Sequence, residues 1–217
     1  VALGFNGCEV TEFNGINCDN PWSAYVWSRG YTVGSTHVAD LMAANDDPRY
    51  DFYAGDEAQE PGDQAVAMES PWAYQYPYYY DLGSQPVHIM SKHELYFILA
   101  ETQLRTGEDA TAAFQTAVAA SVNEQANWLG EDADGEAFAA SLGTPTLQSV
   151  FEQKYIAMSV DEQVETYNDI RRMKAMGENF IPMTNPYNTQ GGQNRWPELL
   201  PYGNSSVVSN PVLAAAY

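Results

Sequence analysis

The side chains that could carry out chemistry in this sequence are its carboxylates, histidines and cysteines. With 29 Asp and Glu residues, paired acids of the kind that hydrolyse glycosidic bonds arise by chance and predict no active site. The histidines, which are His37, His88 and His93, share no spacing with one another or with cysteine that indicates a metal site or a catalytic triad. No nucleophile elbow, phosphate-binding loop or dinucleotide fingerprint occurs. The sequence therefore predicts no catalytic residue and no metal ligand, and a glycoside hydrolase is the weaker alternative.

Several groups of neighbouring acids could hold calcium through their carboxylate oxygens. Their spacing does not match an EF-hand loop, which requires glycine and a final glutamate at fixed places. Solvated acidic loops are therefore the favoured interpretation, and structural calcium is the one cofactor that stays open. The groups are Asp46-Asp47, Asp56-Glu57 and Glu131-Asp132-Asp134.

The charge balance excludes one class of partner. Nine Lys and Arg residues against 29 Asp and Glu give a formal net charge of -20. Binding to a phosphate backbone requires a cationic surface. Nucleic acid is therefore not an expected partner.

The start of the chain, its apolar stretches and its two cysteines indicate the cellular compartment in which the protein works. No stretch approaches the roughly 20 apolar residues that span a bilayer, and the chain opens with neither a signal sequence nor a lipid-bearing cysteine. We therefore expect Val1 to be an internal residue of a longer precursor. Cys8 and Cys18 lie close together in a Gly- and Asn-rich segment, and both a disulfide and two free thiols fit their spacing.

Aromatic residues in loops are the strongest sign of ligand recognition. The chain has 15 Tyr, 8 Phe and 5 Trp, many of them in Gly-, Pro- and Asn-rich stretches. Such rings stack on the apolar faces of sugars and on protein, although any single ring can instead pin a loop to the body. The predicted ligand-binding residues are Trp22, Tyr25, Trp27, Tyr31, Trp72, Tyr74 and Tyr76.

Residues 1–90 form a loop-rich, aromatic-rich region that we expect to face the ligand. Residues 24–27 favour a short strand, and Ser35 to Ala44 favour a short helix that Pro48 and its acidic neighbours end. Residues 54–88 are acidic and rich in Pro and Tyr. Loops of this length in a compact domain are usually functional.

Residues 91–217 predict helical hairpins followed by an ordered terminal coil. Ser91 and Glu94 form a capping box for a helix that ends at Gly107. Asp109 is expected to cap a second helix, whose small apolar stripe resembles that of a tetratricopeptide repeat; the stripe is Ala110, Ala113, Phe114, Ala117 and Val118. The fold class is therefore mostly α, with long ordered loops.

Two further helices are expected beyond a polar linker at residues 124–143. Thr144 or Thr146 caps a helix through Met158, and Asp161 caps another that runs to about Met176. The tail from Ile181 is rich in Pro, Asn and Gly. It is expected to wrap over the helices as ordered coil, because its aromatic and Leu residues need burial.

Four motifs in order along residues 35–211 resemble the SusD/RagB family. The helix-opening segment 90–101 resembles that of the family, and residues 45–50 resemble its Asp-Pro-Arg turn. Residues 152–157 with 165–172 resemble the helix pair that ends in Asp-x-Arg-Arg, and residues 195–203 with Asn210-Pro211 resemble the terminal coil. Residues 1–34 match less well, and family members are usually much longer.

The resemblance implies an outer-membrane, lipid-anchored nutrient-binding protein on the extracellular face. It would capture an oligosaccharide or oligopeptide and deliver it to a SusC-like TonB-dependent transporter. The membrane would be contacted only through an N-terminal lipid, and both that lipid and an N-terminal repeat half would lie outside this chain. A structural or adhesive surface protein is the alternative.

The arginines of these motifs are expected to stabilise the fold rather than bind ligand; they are Arg49, Arg171 and Arg172.

Overall fold

The structure is a computed structural model that describes residues 4–24, 36–54, 83–159, 161–181, 208–210 and 212. Within these residues the chain is mostly helical, as the sequence predicts. The described residues contain two strands and seven helices: β1 (Cys8–Val10), α1 (Thr36–Ala43), α2 (Arg49–Ala54), β2 (Val87–Met90), α3 (Lys92–Thr106), α4 (Thr111–Leu129), α5 (Gly135–Ser141), α6 (Leu147–Met158) and α7 (Gln163–Ala175).

The α3–α4 hairpin forms the main core, and its position confirms the sequence prediction. Ser91 caps α3 by accepting a hydrogen bond from the Glu94 amide, and Gly107 ends it in a left-handed conformation with φ 77°. Phe97 and Phe114 meet edge to face with ring centroids 6.4 Å apart. The predicted stripe of small residues on α4 is buried, which lets the two helices approach closely. The capping of α4 differs, because Asp109 accepts a hydrogen bond from the Thr111 amide while Ala110 occupies the cap position.

The prediction of a polar linker at residues 124–143 is wrong, because helices occupy most of this range. α4 continues to Leu129, and α5 occupies Gly135–Ser141. The extension forms because Trp128 and Leu129 pack against a second core at α1 and α2, so tertiary burial outweighs the polar local composition. Gly135 admits α5 close to α4, since a Cβ at this position would lie 2.5 Å from Asn123 Oδ1.

Arg49 clamps α2 to the helical body, as expected. Its guanidinium is fully buried and pairs with Asp47 at 2.6 Å, and it also donates hydrogen bonds to Ser121 of α4 and Gln153 of α6. Arg172 pairs with Glu101 of α3 at 2.6 Å and so joins α7 to α3.

Thr146 caps α6 with a capping box, whereas Asp161 does not cap α7. The expected helix from Ser35 to Ala44 is confirmed by α1. The strand expected at residues 24–27 is not supported, because residues 21–24 form a helical turn and residues 25–27 lie outside the described ones. The sequence did not indicate the antiparallel pairing of β1 with β2, in which Glu9 faces His88 and Val10 faces Val87.

Cys8 and Cys18 are both free and exposed. The chain divides into two compact units, Val1–Ile181 and Pro182–Tyr217. In the second unit the Val212 amide donates a hydrogen bond to Asn210 Oδ1, and most of the expected terminal coil lies outside the described residues. None of the described helices combines the length and apolar character needed to cross a bilayer.

Candidate functional site

The predicted ligand-binding aromatics fall almost entirely outside the described residues. Trp22 is described. It is half-buried and packs against the α1–α2 core that contains Val38, Met42 and Tyr53. The others stay predictions that the described residues do not test: Tyr25, Trp27, Tyr31, Trp72, Tyr74 and Tyr76.

The structure brings together a group of histidines and carboxylates that the sequence did not connect. We call it the His88 cluster. It contains one residue from each strand, one from the first turn of α3, one from the C-terminal half of α4 and two that precede α7. These residues are Glu9, His88, His93, Glu124, Asp161 and Glu162.

His88 lies at the centre of the cluster and is held on both sides of its ring. Its Nδ1 is 2.6 Å from Asp161 Oδ2, and its Nε2 is 3.1 Å from Glu124 Oε1. Glu9 Oε2 lies 3.7 Å from the same Nε2. Trp128 stacks on the ring, with centroids 5.9 Å apart and planes inclined by 22°. Contacts at both nitrogens and one face therefore fix the direction of the ring.

His93 extends the cluster toward α7. Its Nε2 is 3.1 Å from Glu162 Oε2 and its Nδ1 is 3.5 Å from Glu124 Oε2. The two oxygens of Glu124 thus face one histidine each. Glu162 also accepts a hydrogen bond from the Ser91 amide at 2.9 Å, which satisfies the backbone group that the predicted capping box assigned to Glu94.

The carboxylates dominate the electrostatics of the cluster. Burial alone would lower the pKa of His88, but hydrogen bonds and charge from Asp161 and Glu124 outweigh it and raise the pKa to about 11. Burial alone would raise the pKa of Glu162, but the hydrogen bond and charge of His93, with the Ser91 amide, lower it to about 2. An imidazole that holds its proton so firmly is a poor general base near neutral pH.

A polar groove of about 600 Å³ opens beside the cluster. His93, Glu124 and Lys92 line it, together with alanines of α4 and α5. Its walls carry amide, hydroxyl and carboxylate groups from Asn6, Gln115, Thr116, Asn123 and Glu136. Such a lining offers donors and acceptors to a hydroxyl-rich or peptide ligand, and the described residues that form it include no Phe, Tyr or Trp.

The acids proposed for calcium have other contacts or are exposed. Asp47 is buried against Arg49, Asp134 caps α5, and Asp46, Glu131 and Asp132 are exposed; Asp56-Glu57 lie outside the described residues. Among the residues that the structure describes, the groups with the spacing of metal ligands are Glu9, His88 and Glu124, and His88, Asp161 and Glu162.

Sequence reasoning missed the His88 cluster because its contacts join distant parts of the chain. His88 lies 36 residues before Glu124 and 73 before Asp161. The strand itself gave a misleading signal. In a strand, residues two apart share a face, so Val87 and Ile89 lie opposite His88 and their apolar side chains favour an outward-facing histidine. The structure reverses this, with Ile89 66% exposed and His88 buried.

Comparisons with solved structures identify the fold. No family model matches the sequence, and no curated protein matches it. A SusD/RagB family protein from Bacteroides thetaiotaomicron is 28% identical with a TM-score of 0.70, over 97% of this chain and 52% of that one. A SusD homolog from Bacteroides fragilis is 23% identical with a TM-score of 0.70, over 96% of this chain and 53% of that one.

This chain thus spans about half of the length of each of these proteins. The match extends over nearly all of it, and the helical hairpin, the Asp-Pro-Arg turn and the final helix pair occur where the sequence motifs predict them. The chain has the SusD-like fold of the SusD/RagB family.

Proposed function

We propose that this chain belongs to a nutrient-binding protein of the cell surface. It captures an oligosaccharide or oligopeptide and passes it, uncleaved, to a SusC-like TonB-dependent transporter, while an N-terminal lipid holds it at the extracellular face of the outer membrane. The observation that carries this proposal is the SusD-like fold over 97% of the chain, with 28% identity to a SusD/RagB family protein.

Two surfaces are candidates for the ligand. The first consists of the loop aromatics, of which Trp72 and Tyr74 are the residues to test, because aromatic rings stack on sugar faces and on peptides. The second is the polar groove beside the His88 cluster, where Gln115 and Thr116 present an amide and a hydroxyl. Rings suit the apolar faces of a sugar, whereas the groove suits its hydroxyls.

The first experiment is a calorimetric screen of the intact protein against soluble glycans and peptides, with product analysis of every mixture. The proposal expects binding without turnover. Trp72→Ala or Tyr74→Ala should weaken the affinity about tenfold if the loops hold the ligand, and Gln115→Ala should do so if the groove holds it. Tyr167→Ala on α7, which is neither one of the loop aromatics nor a lining residue of the groove, is the matched control and should leave the affinity unchanged.

The remaining outcomes decide between the proposal and its alternatives. Absence of binding to every glycan and peptide would favour a structural or adhesive surface protein, and cleaved products would favour a glycoside hydrolase. Delivery needs its own test, in which the full-length protein is co-purified with a SusC-like TonB-dependent transporter from the same cell. Failure to form that complex would contradict the transport role and leave the capture role standing.

A further inference from the structure

His88 has the surroundings of a metal ligand. A ligating imidazole almost always donates its other N–H to a carboxylate or carbonyl, which fixes the tautomer and the direction of the ring. Asp161 Oδ2 occupies that place, 2.6 Å from Nδ1. The side chain of His88 is only 2% exposed, and Trp128 stacks on its ring. Nε2 is therefore held facing Glu9 and Glu124.

The three facing donors have the spacing of one coordination sphere. A tetrahedral zinc ion with ligands at about 2.0–2.2 Å separates neighbouring donor atoms by about 3.3–3.6 Å. His88 Nε2 lies 3.1 Å from Glu124 Oε1 and 3.7 Å from Glu9 Oε2. One donor atom of each residue lies within 4.8 Å of the other two. Small side-chain rotations of the glutamates are therefore enough to seat one ion.

The Nδ1 side of His88, which faces Asp161, does not offer an alternative position for the metal ion. His88 Nδ1 and Asp161 Oδ2 are 2.6 Å apart, which is too close for two donors that share an ion. The side chains of Asp161 and Glu162 are only 7% and 4% exposed. Glu9 and Glu124 are 38% and 28% exposed, so an ion on the Nε2 side can reach solvent and complete its sphere with water.

We propose that His88 Nε2, Glu9 and Glu124 form a binding site for a divalent transition-metal ion of the Zn²⁺ type. Asp161 is the positioning residue, water fills the open position, and the ion replaces the proton on Nε2. Calcium is disfavoured, since it takes six to eight oxygen ligands and this site presents an imidazole nitrogen. The bound ion would join β1 and β2 to α4.

The test uses the full chain after treatment with a chelator and return to a non-chelating buffer. Calorimetry with ZnCl₂ should give one site, and CoCl₂ should give the visible absorption of a tetrahedral N/O site. Zinc at 100 times its Kd should raise the Tm by about 5 °C or more, whereas CaCl₂ should not raise it. Absence of zinc binding, or equal stabilisation by calcium, would overturn the proposal.

Variants locate the site. Glu9→Gln and Glu124→Gln should weaken zinc binding at least about 100-fold, and Asp161→Asn about 10- to 100-fold. Glu12→Gln, an exposed acid near Glu9, is the matched control and should not change the Kd. Binding must also persist in Cys8→Ser/Cys18→Ser, because both thiols are exposed and bind zinc well. Loss of binding in that variant, or an equal effect of Glu12→Gln, would refute the assignment.

Discussion

The buried pair of Asp47 and Arg49 gives the sharpest prediction about stability. Asp47→Asn keeps the size and shape of the side chain, and its Oδ1 can still accept the Arg49 amide that donates to it at 3.0 Å. The change removes the charge that faces a guanidinium with no exposed surface, and it replaces Oδ2, which accepts from Arg49 Nη2 at 2.6 Å, with an NH2 group that cannot accept a hydrogen bond. Removing one partner of a buried ion pair costs about 3–5 kcal/mol, because the other charge is left uncompensated.

The structure places the expected cost at the lower end of this range. Arg49 retains Ser121 at 3.1 Å and Gln153 as acceptors, and it lies 5.8 Å from the ring centroid of Phe138. We therefore expect Asp47→Asn to reduce the free energy of unfolding by about 3 kcal/mol. For a chain of this size that corresponds to a fall in Tm of about 6–12 °C.

The assay is urea unfolding followed by circular dichroism, with a double-mutant cycle as the control. Arg49→Met removes the guanidinium, so Asp47→Asn should cost much less in that background, and the coupling energy should exceed about 1.5 kcal/mol. A cost below about 1 kcal/mol for Asp47→Asn, or a coupling energy near zero, would show that solvent or another group compensates Arg49 and would refute this reasoning.

Three further predictions concern packing and pH. Gly135→Ala should lower the free energy of unfolding by about 2 kcal/mol in urea unfolding, because its Cβ would lie 2.5 Å from Asn123 Oδ1. Burial and the charge of Glu162 raise the pKa of Glu94 to about 7, so the contribution of Glu94 to stability falls as pH rises from about 4.5 to 7. Glu94→Gln should therefore gain about 2 kcal/mol over wild type at pH 8 and little at pH 4, measured by unfolding at each pH. Burial alone would raise the pKa of Glu101, but pairing with Arg172 outweighs burial and lowers that pKa. Glu101→Gln should therefore reduce the free energy of unfolding by about 1–2 kcal/mol at pH 7 and by progressively less below pH 4.5, as measured by unfolding at each pH.

Signals carried by a few neighbouring residues predicted five of the seven described helices, but not α2 or α5. Ser91 and Thr146 cap α3 and α6 as their sequence positions indicate, and Gly107 ends α3 in the left-handed conformation that glycine favours. The small stripe on α4 identified the helical hairpin. The end of α4 was predicted too early because the burial of Trp128 depends on α1 and α2, which lie far away in sequence and leave no trace in local composition.

The His88 cluster could not be predicted in the same way, and its residues show why. Asp161 has the spacing of a helix cap but binds His88, and Glu162 takes the Ser91 amide that Glu94 was expected to satisfy. In both cases a hydrogen bond between distant residues replaces the expected local one. His88 and Asp161 are 73 positions apart, and Ser91 and Glu162 are 71 positions apart. Sequences tend to break local rules where another requirement is met. Two such departures at one place, beside an oriented histidine, are what distinguishes this cluster from a solvated acidic surface.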